Sequence, residues 1–246
     1  MSGGVRRLII NADDLGYDPA VSEGIVLALR SGVVTSATLM VNMPHSEHGA
    51  ALARGFPVGL HLNLSRGAPL GSEFPGELLR SGAFDESRVA ALPAPVVAAE
   101  AEAQLARAEA LLGSAPTHVD VHRHLHRAAG VLAGVVQVAR HRGIPVRALD
   151  GAMRTELRRS GVRTTDHFVG EAGEEAYWTE TRFADTVAQL PEGTTELMCH
   201  PGYPPRLTRT TYGLQRAIEL ATLTSSAARR ALAGAGVTLG SFADLR

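Results

Sequence analysis

The stretch Leu8–Asp18, LIINADDLGYD, constrains the fold more than any other part of the chain. A short apolar run ends abruptly in Asn11, Asp13 and Asp14, and Gly16 follows. A strand buried on both faces of a parallel sheet reads as such a run. Side chains on a strand alternate faces, so two adjacent carboxylates point apart for as long as the strand continues. Where the strand breaks into its loop, one can bind a cation while the other faces a reacting water. A plainer role also suits them: Asp13 or Asp14 could cap a helix starting near Pro19.

The rest of the chain repeats this strand-then-helix order. After strand Arg7–Asn11 the apolar spacing predicts helix Val21–Leu29, strand Thr35–Val41, a helix opened by Pro44 and His45 and running through Ala53, and strand Val58–Leu64. Helix Val96–Gly113, strand His118–His126, helix Ala128–Arg142, strand Ile144–Ala148 and a weak strand His167–Val169 come next. Helix Thr181–Leu190, strand Thr195–Cys199, helix Leu214–Ala233 and strand Val237–Leu239 complete the series. Strands alternating with helices indicate a parallel sheet. Eight such units predict a single-domain α/β protein over residues 1–246. The expected form is a distorted (β/α) TIM-like barrel with its active site at the C-terminal ends of the strands. A doubly wound open sheet is the competing fold. The Gly-, Pro- and Ser-rich residues 65–86 are long for a loop and read as a lid or a small inserted hairpin. With 246 residues and 45% hydrophobic side chains, the chain can bury a core of this size.

Charge and cysteine content narrow the function. Lys and Arg number 24 against 25 Asp and Glu, without a basic stripe, so no nucleic-acid partner is expected. Cys199 is the only cysteine, which excludes an intrachain disulfide, and it reads as a small buried hydrophobe. The apolar run after Arg6 and Arg7 is too short for a signal peptide, and no stretch approaches a membrane span. A cytoplasmic protein is the expectation.

Polar residues cluster at the strand ends. His118, Asp120, His122, His124 and His126 alternate with other residues, so an extended strand would place all five on one side, roughly 6.6 Å apart per pair. Ligand atoms on one metal lie no more than roughly 4.2 Å apart, so one or two of the five can be ligands. The others would line the site or hold a ligand in place. His61, inside VGLHLNL, alone would read as a core histidine; beside these groups it reads as a ligand. Two histidines and a carboxylate with open positions suit one divalent ion; Mg, Zn, Mn, Co and Ni all fit, and the ligand set does not choose among them. His200, in a Cys-His-Pro-Gly turn, suits a general acid or oxyanion donor, with Pro201 stiffening the turn and Gly202 permitting a sharp bend. Arg147 can orient a catalytic carboxylate or form a structural salt bridge. Aromatics are only 4% of the chain, so Tyr17, Trp178 and Tyr203 stand out. Glycine patterns of nucleotide sites are absent.

NADDLG, VGLHLNL, THVDVHRHLH and MCHPGY resemble, in order and spacing, the motifs of the YdjC-like carbohydrate deacetylases, which include chitooligosaccharide deacetylases and hopanoid-associated members. The resemblance runs from Leu8 to about Tyr203, and more weakly past Tyr212. It implies a distorted barrel that removes N-acetyl groups from amino sugars with a divalent metal. It makes Asp14, His61 and His122 the metal ligands, Asp13 the general base and His200 the acid. His124, His126, Asp120, Arg147, Tyr17 and Tyr203 would then contact substrate or support the ligands. Leu15 stands where the family commonly has Phe, and residues 65–84 and those after Gly151 match poorly. The expected partner is an N-acetylated sugar, with a homodimer left open. A barrel phosphoesterase, a sugar isomerase on the same ion, and an inactive sugar-binding homologue are the alternatives.

Overall fold

Alternation along the first strand explains how the molecule is layered. In the computed structural model, which describes residues 5–245, β1 (Arg6–Leu15) is the centre of a seven-stranded parallel sheet. Its Leu8, Ile10 and Ala12 belong to the main apolar core, whereas Ile9 packs with Phe242 and Leu245 in a separate small cluster. One face of the strand therefore meets the helices and the other faces the barrel interior. Residues 1–4 and 246, which the one-domain reading includes, lie outside the described residues.

In chain order β1 is followed by α1 (Pro19–Ser31), β2 (Ser36–Leu39), α2 (Ser46–Leu52), β3 (Val58–Leu62) and a two-stranded hairpin of β4 (Leu79–Arg80) and β5 (Ala83–Phe84). Then come α3 (Ala94–Leu112), β6 (Val119–Val121), α4 (Ala129–Arg142), α5 (Gly151–Arg159), β7 (His167–Val169), α6 (Glu180–Ala188) and β8 (Gly193–Cys199). α7 (Leu214–Thr224), α8 (Ser226–Ala235) and β9 (Thr238–Leu239) complete the order. Neighbouring strands run β6-β3-β2-β1-β8-β7, and β9 pairs with the start of β1. The circle closes loosely. Val146 makes a single bridge to Val119 of β6, and its N–H donates to the Arg163 carbonyl, four residues before β7. The fold is the expected distorted (β/α) barrel, with its core between sheet and helices and a second, polar interior inside the sheet.

Several boundaries differ from the sequence reading, each for a local reason. Ile144–Ala148 is not a strand: Pro145 has no N–H, and the segment makes only that one bridge. The helix read over Leu214–Ala233 is two helices, because the Ser225 backbone is extended and its hydroxyl caps α8 by accepting from Ala228 N–H at 3.0 Å. α1 is capped by neither Asp13 nor Asp14 but by Asp18, with Pro19 at its first position. α5 was not anticipated; Asp150 caps it. Residues 65–86 contain the small hairpin, whose turn at Ser81–Gly82 has positive φ at both residues (51° and 78°). Among the described residues no helix is long and apolar enough to cross a membrane.

Candidate active site

The site begins where β1 is irregular. One extra residue of β1 intervenes between Ala12, opposite Ala37, and Leu15, opposite Leu39. Asp14 takes up this bulge with a left-handed φ of 73°, a conformation Asp tolerates better than most side chains. Strict alternation is broken, so Asp13 and Asp14 both reach the same cleft.

Asp13 meets Arg147 in a two-pronged ion pair, Nη1 to Oδ2 and Nη2 to Oδ1, both 2.7 Å. Arg147 is wholly buried and also holds Asp120 Oδ2 and Glu196 Oε1 at 2.7 Å. Arg147 thus forms the buried salt bridges weighed for it. Burial on its own would raise the Asp13 carboxyl, but the Arg147 guanidinium outweighs it and holds Asp13 ionised, well below the usual carboxylate range.

Asp14, His61 and His122 come together. Asp14 Oδ1 lies 3.2 Å from His61 Nε2 and 3.1 Å from His122 Nδ1, and the two ring nitrogens are 3.0 Å apart. Asp120, paired with His61 across the β3–β6 register, receives the His61 Nδ1 proton at 2.7 Å. In the neutral ring Nε2 of His61 then turns a lone pair toward the carboxylate, whose Oδ1 is buried. Three such atoms this close need a cation between them, either a proton or a metal ion. Three donors about 2.1 Å from one ion and at right angles would be about 3.0 Å apart, so the triangle fits a divalent ion with further positions open. Burial disfavours a charged His61, but Asp120 and then Asp14 outweigh it and push the ring up to about 10 while it shares the site only with protons. The other oxygen of Asp14 accepts a 2.5 Å bond from Arg216 Nη2.

The extended His118–His126 strand is a correction. Only Val119–Val121 is strand; the chain then winds into a 3₁₀ turn in which Arg123 and His124 have φ of 56°. The five polar residues consequently separate. Asp120 and His122 reach the site as described. His118 lies deeper in the barrel, stacked on Phe242 at 3.8 Å. His124 lines the cleft, edge-on to Phe168, with burial bringing it down to about 3. His126 is fully buried and outside the cleft lining.

His200 also lines the cleft. Its turn is fixed between two helices: the His200 N–H donates to Glu219 of α7 at 2.6 Å, Gly202 N–H donates to the Arg216 carbonyl, and Tyr203 N–H to the Ala20 carbonyl. Gly202 has no unusual φ; the close approach is required at Gly24 of α1, where a Cβ would stand 2.6 Å from the Gly202 Cα. Burial, the largest influence, brings the His200 ring down to about 4 against the opposing pull of Asp14 and Asp13, so it rests neutral.

These groups sit in an open cleft of about 1240 Å³. Tyr17 lines it, with its hydroxyl bonded to the Arg209 carbonyl and the guanidiniums of Arg66 and Arg216 5.5 and 5.7 Å from its ring centre. Trp178 is fully buried, its indole N–H bonded to the Met198 carbonyl, and offers no face to a ligand. Tyr203 is partly exposed and outside the cleft lining. Of residues 65–86 only Arg66 and Glu86, the two ends, line the cleft. One wall, residues 210–212, is strapped to the first loop. Asp18 accepts the N–H groups of Arg206, Leu207 and Thr208, and the Thr208 hydroxyl bonds the Tyr17 carbonyl. The sequence reading missed Arg216, Glu219 and Glu196. Glu196 carried a signal, as a charge inside the apolar strand TTELMC; Arg216 and Glu219 sit in an ordinary helical pattern and carried none.

The chain belongs to the YdjC-like protein family, whose model matches residues 7–234. Within that family it is 35% identical to a chitooligosaccharide deacetylase of Klebsiella pneumoniae subsp. pneumoniae, over 98% of this chain and 99% of that one. It is 37% identical to a carbohydrate deacetylase of Geobacillus stearothermophilus, over 97% and 98%. Its structure superposes with a TM-score of 0.80, at 26% identity, on a candidate cellobiose-phosphate cleavage protein from Enterococcus faecalis V583, covering 97% and 98% of the two chains. Full-length relatedness of this kind places the protein among the enzymes of the carbohydrate deacetylase class.

Proposed function

We propose that the protein removes the N-acetyl group from an N-acetylated amino sugar or oligosaccharide by metal-dependent hydrolysis. The observation that carries this reading is the Asp14–His61–His122 triangle, with sides of 3.0 to 3.2 Å, at a cleft that Asp13 and His200 also line. A divalent cation held by those three side chains would polarise the acetyl carbonyl and make a water acidic enough to attack it. Asp13, kept ionised and fixed in orientation by Arg147, accepts the proton of the attacking water. His200 serves the leaving nitrogen. Its ring is neutral at rest and takes up a proton from the water of the open cleft as negative charge develops on the substrate, so it carries that proton when the amide bond breaks, while the proton taken by Asp13 returns to solvent after the products leave. The proton goes to the amine, and acetate and the free amino sugar leave. Tyr17 and His124 offer rings along the cleft for the sugar, and Arg66 and Glu86 bring the ends of residues 65–86 to its rim as a partial cover.

Acetate release from N-acetylglucosamine oligomers tests the reading. Activity is expected to disappear with a chelator and return with a divalent ion of the Mg, Zn, Mn, Co or Ni set. Full activity in Asp14→Ala or His122→Ala would reject the assignment, and release of phosphate or aldose–ketose conversion without acetate would point to a different reaction on the same groups.

A further inference from the structure

Arg216 is the residue of the site that neither a motif nor its spacing announces. It reaches from α7 to the far oxygen of Asp14 at 2.5 Å, and its Nε donates to the Tyr212 carbonyl at 3.0 Å within its own helix turn. Its Nη1 is buried and bonded to nothing. A guanidinium placed only to dock its helix would not leave a buried donor unmet, which lowers stability. α7 is attached to the barrel without it: Leu220 and Leu223 are buried in the core, the Leu223 carbonyl accepts from Val33 N–H, and Glu219 holds both His200 N–H and the Tyr212 hydroxyl.

Asp14, by contrast, needs an external hold. Its backbone is left-handed at a bulge, and a free carboxylate there could rotate to present two oxygens or none. We infer that Arg216 is a positioning residue which clamps Oδ2 of Asp14, so that Asp14 offers one oxygen, Oδ1, to the ion and leaves further coordination positions for water and substrate. α7 thereby governs both halves of the centre, with Arg216 on Asp14 and Glu219, three residues on and so on the same face of the helix, on the His200 backbone.

This inference rests on the metal reading above, and its test separates the two. The full-length protein, stripped with chelator, is titrated with Mn²⁺ by calorimetry as wild type, Arg216→Gln and Arg216→Lys. Removing an outer partner of a metal ligand typically weakens binding by about 10–100-fold, and that loss is expected for Arg216→Gln. Arg216→Lys, which keeps a donor for Oδ2, recovers part of it. Melting temperatures are recorded with and without Mn²⁺: a purely structural residue lowers both equally, whereas a positioning residue shrinks the rise that the ion produces. Wild-type affinity, or tighter, in Arg216→Gln overturns the inference; if that variant does not fold, the same affinity in Arg216→Met, which keeps the apolar stem and removes the donor, overturns it. If the wild type binds no divalent ion, it is the metal reading itself that fails.

Discussion

Glu196→Gln isolates a single buried charge and makes its cost measurable. Glu196 is fully buried beside Arg147, Asp120 and Asp13. Burial raises its carboxyl most; Arg147 pulls it down and the neighbouring carboxylates push it up again, from 4.5 to about 7. The folded protein therefore retains a proton that the unfolded chain releases above pH 4.5. Stability from this group is fully present below pH 4.5 and is lost as pH rises through 7. At 1.36 kcal/mol per pH unit the whole effect is about 3 kcal/mol, and most of it, about 2–3 kcal/mol, falls between pH 5 and pH 8. Glutamine has nearly the same shape and never ionises. Its second amide proton adds an offset that does not depend on pH, so the tested quantity is the change with pH. Urea unfolding of the chelator-treated proteins at half-unit steps from pH 5 to pH 8 should show the wild type losing about 2–3 kcal/mol more than the variant. Parallel curves for the two proteins would refute the argument that Glu196 holds this proton.

Three other changes probe the site. Asp13→Asn should lower kcat by about 10²–10⁴-fold with Mn²⁺ affinity intact, as loss of a proton acceptor requires; a parallel loss of affinity in calorimetry would make Asp13 a ligand instead. Asp120→Ala frees Nδ1 of His61, and Mn²⁺ binding should weaken by about 10–100-fold, with unchanged binding as the contrary result. Gly24→Ala drives a methyl group toward the Gly202 backbone at the His200 turn. Unfolding measurements should show about 1–3 kcal/mol of destabilisation, and no change would mean the two glycines do not set that contact.

Much of this was legible in the sequence because the relevant signals are local. An apolar run ending in two carboxylates marks β1, and a histidine inside VGLHLNL marks β3. What failed, failed where tertiary contacts override pattern. Alternation through His118–His126 assumes a continuing strand, whereas the chain turns at Arg123 and His124, so the pattern ends at His122 of the triangle and does not carry His124 and His126 along the same line. The closing strand at Ile144–Ala148 has the right composition, but a single bridge is all its surroundings supply. Arg216 acts on a carboxylate 202 positions away, a relation that no window of sequence contains.

The strap from Asp18 to residues 206–208 has a consequence for how such a cleft can be retuned. The wall carrying Thr210, Thr211 and Tyr212 is fastened to the loop that follows Asp13 and Asp14, so reshaping it disturbs the chemistry as well. Room to accommodate a longer or differently decorated sugar lies with lining residues that no hydrogen bond or ion pair ties to Asp13 or Asp14, such as Glu86, Arg123, Arg127 and residues 171–174.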